Sequence, residues 1–504
     1  MDSLSEKRRP VIIGVGQYVH RPKDSSEVKS PLQMIEEAVG KAQEDAGLAD
    51  LATRIDALCL VNVISRSSEG LPAELSKRIG AAPASEEYTW IGASAPQWFV
   101  NRAAKRIFEG KARLALICGG EAFYSRRLQA EVTGTRSWDA SIGPREPWMV
   151  GDLRDPITPL ESRYGLLLPI HLYPLLENGL RYHEGMSIEE HIRDLGGFLS
   201  GCSDIAADNP YAWFRSRRTA DEIVGVTASN RMVAFPYTKL MCSIMEVDQS
   251  AALFLTDVQT ARELGVPEEK WIYLLGSGDA SDIWHVTERI NFHSSPSVKV
   301  ATEKAMEQAG VSLEEIDYLD FYSCFPCAPR ITRNMLGIPR DDPRPLTVTG
   351  GMPYFGGPGN NYALHAICKT VELLRQDPAK IGLVQALSWY ISKHSVGIYS
   401  GVPRRDQWEP VPTESYQAEL DRLKGPPVIE EATGDAVVET YTMFFDRSGL
   451  PVNGVVIGRL NDGKRFLSHV VKDGRIFDAM QDQEFIGTRG KVKTKDGLNI
   501  FSPN

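Results

Sequence analysis

The sequence predicts an α/β fold of two similar βα halves, layered as a sandwich, with a small antiparallel β-barrel at the carboxyl end. One observation is an internal repeat. Ala38-Val39-Gly40-Lys41-Ala42-Gln43-Glu44-Asp45-Ala46-Gly47 and Ala301-Thr302-Glu303-Lys304-Ala305-Met306-Glu307-Gln308-Ala309-Gly310 share one pattern, each closing on a glycine suited to a helix C-cap. Each is followed by an Ile-Asp pair, Ile55-Asp56 and Ile316-Asp317, and then by a strand-like run, Ala57 to Val63 and Tyr318 to Ser323. A second correspondence sets Pro96 to Gly110 and Leu114 to Cys118 against Pro358 to Gln376 and Ile381 to Ala386, both reading as loop, helix and buried strand. The third observation is a change of character after Pro403, where short β-rich runs are punctuated by Asp-Gly turns.

Taken in order, Met1 to Arg9 lead directly into a strand, and no signal-peptide core is expected. The first half occupies residues 1–265 and contains an insertion at about 123–234. Within that insertion Ser187 and Glu190 have capping-box spacing and predict a helix start. The second half follows over 266–403, and alternation of strands with helices predicts sheets covered by helices. A polar linker, 404–426, leads to a barrel over 427–504, with strands expected from Val437 to Phe501. Its hairpin signals are Asp446 to Gly449, Asp462-Gly463, Asp473-Gly474 and Asp496-Gly497. A five-strand OB-like barrel is the nearest template, read as a structural or protein-interaction module. It carries neither a basic stripe nor a regular aromatic platform, which argues against nucleic acid.

A chain of 504 residues, 42% hydrophobic and 24% charged, is long enough for two or three domains. A net charge of −10, with no block of Lys or Arg, gives no footprint for nucleic acid or an anionic membrane. The run Gly165 to Leu176 is interrupted by Pro169 and Pro174 and falls short of the roughly 20 residues a membrane span needs. Phe501-Ser502-Pro503-Asn504 does not match the Ser-Lys-Leu address, so a cytoplasmic location is expected. Seven cysteines, an odd number, predict reduced thiols.

Three segments carry a family resemblance. Thr349-Gly350-Gly351-Met352-Pro353-Tyr354-Phe355-Gly356-Gly357-Pro358-Gly359-Asn360-Asn361 is similar to the thiolase loop ending in Gly-His-Pro, with Gly357 at the histidine position. Asp208-Asn209-Pro210-Tyr211-Ala212-Trp213-Phe214 with Thr219 to Ile223 resembles a segment that walls the coenzyme A site in that family. Pro236 to Ser243, leading into Val247 to Ala252, also looks like the family. Residues from about Pro10 to Pro403 thus resemble the thiolase superfamily, sterol-carrier-protein branch, and with the barrel the whole chain resembles the thiolase-like proteins of type 1.

That resemblance implies a duplicated thiolase fold and a reaction built on a helix-terminal cysteine, a histidine base, oxyanion donors and a second cysteine. The corresponding positions hold other residues. The nucleophile position in Ile91-Gly92-Ala93-Ser94 falls on Ala93, Tyr322 replaces an Asn or His in Tyr322-Ser323-Cys324-Phe325, and Gly357 replaces the base. The final Cys-x-Gly loop falls near Ala386-Leu387-Ser388-Trp389-Tyr390. Loss of a nucleophile or its base alone costs about 10⁴ to 10⁶ in rate. The expectation is a thiolase-like acyl-CoA-binding protein, an acyltransferase without a cysteine acyl-enzyme. The alternative is an inactive thiolase-fold protein that binds acyl-CoA or lipid, or supports a protein partner through the barrel. No tightly bound cofactor, no metal and no nucleic acid are expected, and the chain is read as a monomer or homodimer.

Within those loops the candidate catalytic residues are Tyr322, as a donor to a thioester oxygen; Cys324, lining the pocket; and His394, as a replacement base. Each has a plain alternative: a buried tyrosine, a structural thiol, a histidine bonded in a turn. Cys324 and Cys327 have Cys-x-x-Cys spacing but no second pair at metal-ligand spacing. Ser94 is a candidate ligand or nucleophile without a neighbouring His or Asp in sequence. Arg215, Arg217 and Arg218 suit coenzyme A phosphates, or form a solvated loop. Gly350-Gly351 and Gly356-Gly357 fit tight turns and close approach to a ligand; they do not match a nucleotide phosphate loop.

Overall fold

The structure, a computed structural model, describes residues 4–66, 70–134, 149–404 and 407–504. The first three residues of the expected leaderless start, and 135–148 of the expected insertion, lie outside them. The core strands are β1 (Pro10–Val19), β2 (Ala57–Leu60), β3 (Ser85–Tyr88), β4 (Leu114–Ala122), β5 (Asp248–Asp257), β6 (Ile272–Ser281), β7 (Tyr318–Phe321), β8 (Ile381–Ser388) and β9 (Lys393–Ser400). They form one nine-stranded ladder in the order β3-β2-β4-β5-β1-β6-β9-β8-β7. The two halves join where β1 meets β6 antiparallel, Val11 opposite Tyr273 and Ile12 opposite Ile272.

The repeat has a physical cause. Helix α1 (Pro31–Ala46) lies on β1 so closely that a Cβ at Gly14 or Gly16 would overlap the carbonyl oxygens of Ala42 and Ala38. The order is reproduced in the second half, where Gly276 and Gly278 of β6 meet Ala305 and Ala301 of Pro296–Ala309. Alanine at four-residue spacing and glycine at two-residue spacing are what such close contact of helix and strand requires. Strand residues then alternate between layers. Leu58 and Leu60 face the α1 side, whereas Ala57, Cys59 and Val61 face a central layer. That central layer is the helix pair α2 (Ala95–Phe108) and Tyr362–Gln376, buried by strands of both halves.

The insertion carries α3 (Pro169–His183) and α4 (Ile188–Asp208). Ser187 caps α4 as the spacing predicts, accepting from Glu190 N while the Glu190 side chain accepts from Ser187 N. Side chains of α3 share an apolar cluster with Tyr322, Cys324 and Phe325 on one side and barrel residues Val455, Ile457 and Leu467 on the other. The helices of the second half are α5 (Pro296–Ala309) and α6 (Tyr362–Gln376). The segment expected as a linker contains the helix Glu414–Leu420, whose Tyr416 and Leu420 are buried against the second half.

The barrel strands are β10 (Gly434–Phe445), β11 (Pro451–Leu460), β12 (Arg465–Val470), β13 (Arg489–Lys495) and β14 (Leu498–Pro503). Ladders β10-β11, β11-β12, β13-β14 and β10-β13 are antiparallel, and β12-β14 closes the barrel in parallel. Asp496-Gly497 turns a hairpin, both residues at positive φ. Asp473-Gly474 does not: the Asp473 carboxylate accepts from Arg475 N and caps the helix Gly474–Asp482. That helix lies between β12 and β13.

Candidate functional site

The four loops that resemble the thiolase reaction loops converge at the start of α2, and the structure fills them with each other's side chains. Ser94, at the N-cap of α2, makes no capping bond with its side chain. Its N–H donates instead to Ser388 Oγ at 2.8 Å, and the two hydroxyls lie 2.7 Å apart. Gly92 N donates to Asn360 Oδ1 at 2.9 Å, and Asn360 Nδ2 donates to Asn62 O at 3.0 Å. The amides of 92 and 94 are therefore already satisfied. Ala93 packs against the apolar cluster that contains Tyr322 and Cys324.

At the Gly-Gly-Pro turn, Gly356 has φ 110°, a conformation few residues other than glycine adopt, and a Cβ there would meet Gln249 Oε1 at 2.5 Å. The space beside Gly357 is taken by the Ser243 hydroxyl. Gln249 Nε2 donates to the carbonyls of Tyr211 and Phe355, both at 2.9 Å. The turn also pairs with the insertion, Trp213 N to Phe355 O at 2.7 Å and Phe214 N to Tyr354 O at 3.0 Å.

Tyr322 and Cys324 come together; His394 stands apart from them behind Gln385. The Tyr322 ring meets Tyr362 edge-on at 5.5 Å, and its N–H is bonded to Gln385. Burial raises the Cys324 thiol to about 12, so it is protonated at neutral pH, and it lies beside Tyr173 in an aromatic layer with Phe325. Cys327, the first residue of Cys327–Met335, is raised too by burial, and Tyr237 OH lies 3.5 Å from its sulfur. Among the described residues no His, Cys, Asp and Glu group is arranged for a metal ion. His394 is buried with both ring nitrogens engaged, Nδ1 with Gln385 Nε2 at 2.8 Å and Nε2 with Ser295 Oγ at 3.0 Å. Burial and Arg289 push it down to about 3, so it is neutral across the physiological range.

The three arginines stand on the exposed loop after α4. Arg217 forks to Asp208 at 2.9 Å and reaches Asp204 at 3.1 Å. Arg218 lies 3.7 Å from Glu222. Arg215 donates through Nε to Ala207 O at 3.3 Å and has no ion pair among the described residues. It adjoins exposed Phe214 and Arg21, whose guanidinium lies 5.6 Å from the Trp213 ring centre.

A cavity of about 850 Å³ opens on the other side of α2. Ser94 and His394 reach it; Tyr322, Cys324, Gly357 and the three arginines do not line it. Its walls include Trp90, Trp98, Asp152, Arg154, Asp279 and Lys393. Lys393 has no signature of its own in the sequence, because its place in the cavity wall arises from pairing of strands distant in the chain. The one available signal was its place beside His394 at the start of a strand.

The family model for the thiolase-like protein type 1 additional C-terminal domain matches residues 415–497. The crystal structure of a monomeric SCP2-thiolase like protein type 1 from Mycobacterium smegmatis superposes with a TM-score of 0.85 at 32% identity, covering 100% of both chains. An acetyl-CoA acetyltransferase of Methanocaldococcus jannaschii is 28% identical over 178 residues, which are 35% of this chain and 43% of that protein. The chain thus spans less than half of that curated relative. Human mitochondrial 3-ketoacyl-CoA thiolase shares the fold, with a TM-score of 0.55 at 15% identity over 79% of this chain and 100% of that one.

Proposed function

Since the chain belongs to the SCP2-thiolase-like protein type 1 family, we propose that it binds a coenzyme A thioester without running the cysteine–histidine condensation of ordinary thiolases. One observation carries this reading: the space a side chain at 357 would need is held by Ser243. With Ala93 at the nucleophile position, neither a thiolate nor an imidazole base stands at the start of α2. The nearby thiol, Cys324, is raised to about 12 by burial, which disfavours thiolate chemistry at neutral pH.

What supports binding is the outer end of the same site. Arg215 keeps guanidinium N–H groups free of carboxylates and stands with Arg21 beside Phe214 and Trp213. Cations next to aromatic faces suit a phosphate and an adenine ring. The strand-like contact of Trp213 and Phe214 with Tyr354 and Phe355 ties this surface to the reaction loops. The barrel is read as a fixed wall, because buried Arg465 bonds the core carbonyls of Thr287 and Arg289.

Calorimetric titration with coenzyme A, acetyl-CoA and acetoacetyl-CoA, paired with a thiolysis assay, tests both halves of the proposal. Binding that weakens several-fold in Arg215→Ala, with no thiolysis above background, is the expected result. Silence at millimolar ligand removes the binding half. Turnover near the 1 s⁻¹ order of ordinary enzymes removes the other half.

A further inference from the structure

The cavity behind α2 holds a cation for which thioester binding has no use. Lys393 opens β9 opposite Ser281 of β6, and the next pair on the same face is Ser395 with Asp279. These two rungs form a polar floor. Ser94, Trp98 and Arg102, four residues apart along α2, form one wall, and Trp90 adds a second apolar surface. Residues 150–154 and the helix Glu414–Leu420 close the remaining sides.

Several of the other charged and polar groups are already committed, and Glu414 adds a further carboxylate to the wall. Arg102 forks to Glu87 at 2.8 and 2.9 Å, and Arg154 to Asp152 at 3.0 and 2.6 Å. Gln417 is bonded to both main-chain groups of Ser281 at 2.9 Å. Asp279 accepts from Asn101 Nδ2 at 3.1 Å. The Lys393 amine has no hydrogen bond or ion pair with a described residue. Its stem lies against Gly92, where a Cβ would come within 3.4 Å of both Cε and Nζ.

Asp152 and Asp279 face Lys393 and favour its charged form, and Arg154 opposes it. Burial outweighs them and lowers the amine to about 8, while burial raises Asp279 to about 6. The amine is partly exposed to the cavity, desolvation there favours its neutral form, and the neutral amine is a nucleophile. A carboxyl group able to hold a proton thus shares the cavity with an amine able to release one.

We propose that Lys393 condenses reversibly with the carbonyl carbon of a small aldehyde or ketone bound in this cavity, with Asp279 as the proton carrier. The amine lone pair adds to the carbonyl carbon as the C–O π bond becomes an oxygen lone pair. Asp279 protonates that oxygen and recovers a proton from the nitrogen, giving a neutral carbinolamine that the Ser94 hydroxyl can hold by a hydrogen bond. Protonation of the carbinolamine hydroxyl then expels water as the nitrogen lone pair forms the C=N bond. Overall, a carbonyl compound and a lysine ammonium give a protonated imine and one water, with no change in oxidation state. Trp90 and Trp98 fit an apolar or aromatic body on the carbonyl. This inference is independent of thioester binding, and either can fail alone.

The test uses the full chain with limiting benzaldehyde and cyanoborohydride at pH 7, followed by peptide mass mapping. A lysine lowered to about 8 carries on the order of 100-fold more free amine than an ordinary lysine. Its lower intrinsic nucleophilicity takes back part of that gain, so Lys393 is expected to be labelled at least about tenfold faster than exposed Lys493 and Lys495. Lys393→Arg, with an unchanged melting temperature, is expected to lose that fast label. Asp279→Asn is expected to slow labelling several-fold, whereas loss of its charge alone would free more of the Lys393 amine and speed it. Labelling of Lys393 no faster than Lys493 in the unaltered chain overturns the proposal, and this comparison stands even where a variant fails to fold.

Discussion

The hydroxyl of Ser243 occupies the space into which a Cβ on Gly357 would project, and Gly357 N is bonded to the neighbouring Ile244 carbonyl at 2.7 Å. A side chain at 357 therefore has no room unless Ser243 moves. Placing a thiol at 93 and an imidazole at 357 should then not be enough for thiolysis. Ala93→Cys with Gly357→His is expected to show no thiolysis, and Gly357→His to cost about 1–3 kcal/mol by overpacking. Adding Ser243→Gly should return about 1 kcal/mol or more, read as the coupling in a double-mutant cycle of chemical denaturation. Independent, additive effects at 243 and 357 would show that the two do not compete for space.

Much of the fold was legible because its constraints are local. The Ala38–Gly47 and Ala301–Gly310 repeat records the spacing at which helices press onto strands, and the same residues do so in both halves. The Asp-Gly signal identified the hairpin at Asp496-Gly497, where φ is 52° and 76°. At Asp473-Gly474 it misled, because an Asp that accepts from a following N–H serves a helix as well as a turn. There, Ile476, Phe477 and Met480 at helical spacing decide the outcome. The site was legible only as a set of loops. Ser94 meets Ser388 across 294 positions, and Tyr322 is separated from His394 by Gln385; neither relation has a signature in the chain.

The duplicated helix–strand contact makes a symmetrical prediction. Gly16→Ala and Gly278→Ala each place a Cβ against the carbonyl oxygen of Ala38 or Ala301. Both sites are backbone against backbone, with no flexible side chain to yield. Each substitution is expected to lower stability by about 1–3 kcal/mol or more. Gly40→Ala, in α1, has open space around its Cβ and should be neutral or stabilising. Thermal unfolding of the three variants checks the contrast, and equal melting temperatures would contradict it.

Buried acids set a pH dependence whose sign is unusual for carboxylates. Glu121 accepts from Ile64 N at 2.8 Å and Ser65 N at 2.7 Å, yet burial outweighs these bonds and raises it from 4.5 to about 7. The folded state therefore holds this proton more tightly than the unfolded state. Its contribution is complete below about pH 4.5 and is lost as pH rises toward 7, on the order of 3 kcal/mol in all. Asp279 and Asp320, raised to about 6 by burial, act in the same direction. His365 and His394, lowered to about 3, act oppositely, their contribution being lost as pH falls below 6.5. The difference between the parent chain and Glu121→Gln isolates the first effect. Denaturation from pH 4.5 to 7.5 should show the parent losing stability relative to the variant, and a constant difference would mean that Glu121 is ionised throughout.

Arg465 ties the barrel to the core through buried hydrogen bonds. Fully buried in β12, it donates to Glu439 Oε2 at 2.7 Å within the barrel and to the core carbonyls of Thr287, at 2.9 Å, and Arg289. Its guanidinium also lies 4.7 Å from the Phe292 ring centre. Arg465→Met would keep much of the volume but leave two buried carbonyls without this donor, while Glu439 would retain Arg459. Breaking a buried charged contact of this kind typically costs about 3–5 kcal/mol. The loss falls on the contact between barrel and core, so the barrel should unfold in a separate transition at lower temperature and become open to cleavage around 424–433. Because the contact is buried, salt should shift that transition little. Calorimetry with limited proteolysis distinguishes the outcomes: a single transition at the parent temperature would place the attachment elsewhere, in contacts such as Thr440 Oγ1 with Leu175 O at 2.5 Å and Arg181 with Glu484 at 2.7 Å.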